Sequence, residues 1–132
     1  MKREFLEELE NDLKRAVQTN METDEAERLA AKFLLARLEV GKLLRDQDLD
    51  ARLAKQALKT EKAVAYLGEV KKNEKKPSDT MLEQLVNTDE GVAGAQKSFD
   101  EAEVNRDRLQ DYYSTFHEGH IFFRGIAKGR FE

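Results

Sequence analysis

Apolar side chains recur at helical spacing through most of this chain of 132 residues. Between about residues 2 and 17 they leave one charged face, which is the pattern of an amphipathic helix. A second helix is predicted over 24–72, because Asp24 and Glu27 have the spacing of a capping box and nothing stops the helix after them. Pro77 marks the break that follows at 73–79, since a proline displaces the residue before it from helical geometry.

The two halves of the second helix differ in pattern. From Leu29 to Leu44 apolar residues occur on nearly every side of the helix. Such a segment requires burial on all sides. From Arg45 onward the helix is polar, with one thin apolar line that we call the leucine stripe. The leucine stripe consists of Leu49, Leu53, Ala57, Val64 and Leu67.

The last long helix, predicted over 92–128, carries the most regular pattern. A short helix at 80–86 precedes it, with Thr80 and Glu83 as a capping pair. Along the long helix apolar residues, together with Arg106 and His120, recur at alternating spacings of three and four, and we call these positions the heptad seam. The heptad seam consists of Val92, Ala95, Phe99, Ala102, Arg106, Leu109, Tyr113, Phe116, His120, Phe123 and Ala127. Its period predicts coiled-coil-like packing, either against the second helix or against another chain.

Composition fits an all-α fold. Charged residues make up 38% of the chain and aromatic residues 8%, with one proline and no cysteine. This is too little apolar material for a thick core and too regularly spaced for a disordered chain. We therefore expect one domain over 1–132, an elongated antiparallel helical hairpin or bundle that forms an oligomer. No apolar run reaches the roughly 20 residues of a membrane span, and no signal region opens the chain, so an intracellular, cytoplasmic protein with no membrane partner is expected.

Nothing in the sequence assembles a catalytic site. The only histidines, His117 and His120, lack the HExxH spacing of zinc proteases, and Glu118 points away from their shared helix face. No glycine-rich phosphate loop is present. We expect no enzymatic activity, no cofactor and no metal, with His120 packing its ring at a seam position.

A line of cations on the second helix is the best candidate for a binding surface. We call it the basic ladder. The basic ladder consists of Arg45, Arg52, Lys55, Lys59 and Lys62, which their spacing places on one helix face. Tyr66 follows one turn later and offers a stacking surface to an unpaired base, and Lys71 and Lys72 follow at the helix end. Because the chain as a whole carries −4, this local positive sign favours single-stranded nucleic acid, with a solvated charged face as the alternative.

An acidic region between Asp79 and Asp107 has the opposite sign. If the helices fold back on one another, this region is expected either to neutralise the basic ladder or to dock a basic partner.

Large apolar residues in two places predict self-association. The candidate oligomerisation residues are Phe33, Leu34, Leu38, Phe116, Phe122, Phe123, Ile126 and Phe131. Such groups are seldom left in water, and a small chain has a thin core of its own. Local packing within one chain is the alternative interpretation.

Four strings suggest a family. They are MKREFLEELENDLK, ALKTEKAVAYLG, TDEGVAGAQ and RGIAKGRF, in this order over nearly the whole chain. The chain thereby resembles the UvsY-type recombination mediators of large tailed phages, with Lys59 and Lys62 near the basic central motif of that family.

The resemblance implies a small helical homo-oligomer in the host cytoplasm. Such a protein binds single-stranded DNA without catalysing a reaction. It loads a RecA-like recombinase onto strands covered by single-strand-binding protein, in phage recombination, replication and repair. The sequence leaves two alternatives: a structural coiled-coil or assembly protein of a phage, and an adaptor or inhibitor that docks a host protein through the acidic region.

Overall fold

Four helices form the fold. The computed structural model describes residues 3–18, 21–73 and 75–129. The helices are α1 (Arg3–Gln18), α2 (Thr23–Lys72), α3 (Asp79–Asn87) and α4 (Glu90–Ala127), and these residues include no strand. The all-α prediction is confirmed, and each helix begins and ends within two residues of its predicted bounds. Within the described ranges, no helix has both the length and the apolar character needed to cross a membrane.

The short connection between α2 and α4 is held by two caps that differ from the predicted pair. Ser78 is the N-cap of α3, and its Oγ accepts a hydrogen bond from the backbone N–H of Met81 at 3.2 Å. Asp89 does the same for α4, where its carboxylate accepts from the N–H of Val92 at 3.1 Å. The predicted Thr80 cap is therefore wrong, because α3 begins at Asp79 and Thr80 is already inside it.

Internal contacts divide the chain into two compact units, where the sequence pattern predicted one domain. The first unit combines the residues before Asp46 with those after Asp107, and the second spans Asp46–Asp107. The boundary in α2 follows Arg45, which is where the helix changes from apolar on all sides to polar. The change in pattern thus marks the end of one core and the start of another.

Phenylalanine rings form the core of the first unit. Phe33 of α2 is fully buried and lies between Phe116 and Phe123 of α4, with ring centroids 5.9 Å and 5.2 Å away. Leu9 of α1 is equally buried in the same cluster. In this unit α2 and α4 run antiparallel. Ala30 of α2 contacts His120 of α4, whereas Gly41, further along α2, lies beside Tyr113, which comes earlier in α4.

The close approach of α2 and α4 in the first unit depends on Gly119. A methyl group added at this buried glycine would lie 2.6 Å from Cδ1 and 2.8 Å from Cε1 of Phe33. Carbon atoms in contact are normally about 3.5–4.0 Å apart. The missing side chain of Gly119 is therefore what makes room for the Phe33 ring.

A lysine joins α1 to α2. Lys32 Nζ donates to Glu8 Oε1 at 2.5 Å and to Asp12 Oδ2 at 2.9 Å. Burial lowers the pKa of Lys32, but the hydrogen bonds and negative charges of the two carboxylates outweigh burial and raise the pKa above its ordinary value of 10.5. Lys32 is therefore charged at neutral pH, and it holds two acidic residues of α1 against α2.

The second unit has a smaller core. Leu58 of α2, Val86 of α3 and Val92 of α4 are buried together, and Ala65 and Phe99 pack against them at its edge. Two α2 residues are buried in this unit, Ala51 and Leu58, and they are seven residues apart. The half-buried Ala65 continues this spacing.

The heptad seam packs within the chain. Every one of its members is buried or half-buried, from Val92 in the second unit to Ala127 in the first. The prediction that the seam packs against the second helix is confirmed. A seam contact with another chain stays a prediction.

Replacing Gly119 by alanine will test the close approach. We expect the free energy of unfolding to fall by about 1–2 kcal/mol, because overpacking against the buried Phe33 ring outweighs the gain in helix propensity. Urea denaturation measures the change. Gly94→Ala is the matched control, because Gly94 is also in α4 but has open space around it. This variant should raise the free energy of unfolding by about 0.5–1 kcal/mol. Equal effects at the two glycines would contradict the packing argument.

Lys32→Met will test the link between α1 and α2. At neutral pH we expect the free energy of unfolding to fall by about 1 kcal/mol, because two carboxylates lose their cation. Since the pKa of Lys32 is raised in the folded chain, the stabilisation is complete below 10.5 and is lost as pH rises above it. Urea denaturation of both proteins should show that the difference between their free energies of unfolding becomes smaller through that alkaline range. A difference that stays constant would contradict the ionic origin of the link.

Candidate nucleic-acid interface

In the second unit the basic ladder forms a continuous exposed line. Arg52, Lys55, Lys59 and Lys62 are all exposed on α2. With about 100° of rotation per residue, they fall within a sector of roughly 80° of the helix surface. Tyr66 falls within the same sector and is 40% exposed. Arg45 is exposed too but belongs to the first unit.

The lysines of this line have no acidic partner among residues 3–18, 21–73 and 75–129. Arg52 pairs with Asp48 one turn earlier, at 3.0 Å. No carboxylate of the described ranges lies within ion-pair distance of Lys55, Lys59 or Lys62. Three positive charges therefore face solvent without an ion-pair partner in these ranges, which gives this helix face a local positive potential.

The two lysines at the end of α2 lie apart from this line. Lys71 and Lys72 are exposed, but the rotation of the helix places both outside the sector of the basic ladder. Lys72 also pairs with Glu69 at 3.7 Å. The structure thus brings together Arg52, Lys55, Lys59, Lys62 and Tyr66 and leaves Lys71 and Lys72 elsewhere on the helix.

A groove of about 480 Å³ opens between α2 and α3 beside this line. Tyr66, Lys62 and Ala63 form its α2 wall. The α3 wall comes from one helix face, with apolar groups at its base and polar groups at its rim. These residues are Asp79, Leu82, Glu83, Val86 and Asn87. The volume lies within the range of about 300–1,000 Å³ that is usual for small-ligand pockets. Sequence spacing alone gave no sign of it, because α3 completes it.

A second groove meets the basic ladder at the same lysine. It has a volume of about 670 Å³ and runs between Lys62 and the α4 residues Gln96, Lys97, Asp100 and Glu101. The predicted acidic region thus does come near the basic ladder. Its carboxylates remain beyond ion-pair distance of Lys62 within the described part of the chain, so they lower the local potential without neutralising this cation.

The two histidines make structural hydrogen bonds. His120 Nδ1 lies 2.8 Å from the carbonyl oxygen of Ala30, so it donates to that oxygen and ties α4 to α2. His117 Nδ1 lies 2.6 Å from Nη1 of Arg37 and accepts from the guanidinium. Across the described residues, no three histidine, aspartate or glutamate side chains come close enough together to hold a metal ion.

The candidate oligomerisation residues that the structure describes divide into three groups. Phe33, Phe116 and Phe123 have at most 1% of their surface exposed, so they stabilise one chain and offer no contact area to a second. Three others are half-buried, and two of these pack against the same core. The half-buried residues are Leu34, Phe122 and Ile126. Leu38 is 52% exposed, and Phe131 lies outside the described residues.

An exposed apolar surface lies instead on the leucine stripe. Its leucines and valine have 56–62% of their surface exposed. The core of the second unit uses another face of α2, through Ala51 and Leu58. Spacing does not distinguish the two faces, because Ala57 and Val64 of the stripe are seven residues apart just as Ala51, Leu58 and Ala65 are.

Comparison with known proteins identified no relative. A scan against protein-family models, a search of curated proteins and a search of solved structures each gave no match.

Proposed function

We propose that this protein is a non-enzymatic recombination mediator that binds single-stranded DNA through the basic ladder of its second unit. The observation that carries the proposal is the line of Lys55, Lys59 and Lys62, exposed and without an acidic partner in the described ranges. Exposed cations without an acidic partner release counterions when they contact a phosphate backbone, and this release is the main source of sequence-independent affinity.

The geometry of the basic ladder supports a single strand as its ligand. Lys55, Lys59 and Lys62 rise about 1.5 Å per residue along α2, so together they cover about 10 Å. Tyr66 continues their line and forms one wall of the groove beside α3. An unpaired base that leaves the strand near Lys62 can stack on this ring, which is not available to a paired base inside a duplex.

The resemblance to UvsY-type mediators supports the rest of the proposal. A protein of this kind works as a homo-oligomer, in the cytoplasm of the phage host, and hands a strand covered by single-strand-binding protein to a RecA-like recombinase. Electrostatic binding suits this task, because a mediator must hold any sequence and release it again. The proposed partners are single-stranded DNA, the recombinase and the single-strand-binding protein.

Neutralising the ladder lysines will test the proposal. Fluorescence anisotropy of labelled oligo-dT should show binding by the natural sequence, with an affinity that falls steeply as salt rises. The triple variant Lys55→Gln, Lys59→Gln, Lys62→Gln should reduce the log–log salt slope by about 2, at roughly 0.7 per lost phosphate contact on a single strand. No binding of the natural sequence at low salt would refute the proposal.

The matched control carries the same change in charge elsewhere. Lys14→Gln, Lys42→Gln, Lys128→Gln removes three exposed lysines outside the ladder. Its salt slope should stay close to that of the natural sequence. Both triple variants should unfold within about 0.5 kcal/mol of the natural sequence, because exposed residues contribute little to stability. Equal loss of binding in the two variants would show that only net charge matters.

Tyr66 will test the stacking step. Tyr66→Ala should weaken binding of oligo-dT by about 1–3 kcal/mol, the usual contribution of one base stacked on an aromatic ring. Tyr66→Phe keeps the ring and should bind as the natural sequence does. The salt slope should be the same in both variants, because neither changes a charge. Equal affinity of Tyr66→Ala and Tyr66→Phe would exclude stacking at this position.

The leucine stripe favours a second candidate, a structural coiled-coil or assembly component of a phage. An exposed apolar line on a long helix is typical of proteins that build larger assemblies. This function requires no nucleic acid. The oligo-dT titration separates the two candidates, because an assembly component leaves the anisotropy unchanged at every salt concentration.

A further inference from the structure

The leucine stripe is an apolar line that the second unit leaves exposed. Leu49, Leu53, Val64 and Leu67 each expose more than half of their surface, and Ala57 between them is exposed as well. The stripe spans about 27 Å of α2, at 1.5 Å per residue. Monomeric proteins seldom leave a continuous apolar line of this length in water, so the stripe calls for a partner surface.

The position of the stripe on α2 leaves it accessible. Helical rotation sets it about 140° from the buried face of Ala51, Leu58 and Ala65. The packing of α3 and α4 on that buried face therefore leaves the stripe clear. A second helix can approach along its whole length.

The only polar side chain within the stripe is already satisfied. Thr60 lies between Ala57 and Val64 on this face, and its Oγ1 donates to the carbonyl oxygen of Gln56 at 3.1 Å. A hydroxyl that is bonded inside its own helix can be buried without losing a hydrogen bond to water. The stripe is therefore ready for burial along its full length.

Charges of opposite sign border the stripe. Asp50 and Glu61 lie on one side of it, and Arg52 and Lys59 lie on the other. When two copies of this face pair about a two-fold axis parallel to α2, the acidic border of each meets the basic border of the other. When the helices run antiparallel, each border meets its own sign. The borders thus complement those of a second copy in parallel orientation.

We infer that the leucine stripe is a self-association surface, on which a second copy of this chain pairs in parallel. The inference depends on exposure, helix geometry and border charge, and it is independent of nucleic-acid binding. Lys55 and Lys62 point away from the stripe and stay exposed in such a pair, whereas Lys59 lies at its border beside the acidic side chains of the partner copy. The same dimer is therefore compatible with either function considered above.

Sedimentation of the natural sequence and of stripe variants tests the inference. Over a concentration series, the natural sequence should pass from the 15.2 kDa monomer to twice that mass. Leu53→Gln, Leu67→Gln should weaken the association by about tenfold or more, since apolar groups at the centre of an interface carry most of its affinity. Far-ultraviolet circular dichroism should show unchanged helix content.

The matched control is Val104→Gln. Val104 is 57% exposed in the same unit, but it lies on α4 and not on the stripe. This variant should associate as the natural sequence does. A natural sequence that remains monomeric at every concentration overturns the inference, and so does equal weakening by Val104→Gln and the stripe variant.

Engineered cysteines test the orientation of the pair. Because the natural sequence has no cysteine, every disulfide must join the introduced residues. Lys71 lies on the stripe face just beyond Leu67, and in a parallel pair it stands beside its own copy. Mild oxidation of Lys71→Cys should give a disulfide-linked dimer, whereas Ser98→Cys, exposed on α4, should not. Asp46 lies at the other end of the stripe. Cross-linking of Lys71→Cys to Asp46→Cys, without cross-linking of Lys71→Cys to itself, overturns the parallel arrangement.

Discussion

The contact between Phe33 and Gly119 determines how α2 and α4 pack in the first unit. The ring of Phe33 fills the space that a side chain at position 119 would need, so the two helices approach closely at this point. Phe116 and Phe123 close around the same ring, and Ala30 and His120 form a hydrogen bond one turn away. The aromatic content of the chain is low, and several of its rings meet around this single position. A dense local core compensates for the small amount of apolar material.

The helices themselves could be predicted from the sequence, because their signals are local. Apolar spacing and the effect of Pro77 act over a few residues, and they placed every helix end to within two residues. The heptad seam could also be predicted from the sequence, since its period is unbroken over the length of α4. The sequence did not show which side of α2 would meet the seam. The small residues Ala51 and Ala65 lie on that side, whereas the pattern of large apolar groups indicates the leucine stripe instead.

The candidate site was predictable only in part, for a related reason. Spacing alone placed Arg52, Lys55, Lys59 and Lys62 on one face, because a continuous helix fixes the direction of its side chains. Whether a carboxylate neutralises each cation depends on residues distant in sequence, and so does the groove that α3 builds beside Tyr66. Phe33, Phe116 and Phe123 illustrate the same limit: their size indicated burial, but only the fold shows that the burial lies within one chain.

In the second unit α2 carries three surfaces at once: the core face, the line of cations and the leucine stripe. Their angular separation makes the length of the helix unusually intolerant of change. One inserted residue after Ala51 would turn everything beyond it by about 100° and exchange the roles of the three surfaces. An insertion of seven residues, close to two full turns, would nearly restore them. The connection around Pro77 carries no such constraint, so natural variation in length should concentrate there and spare α2.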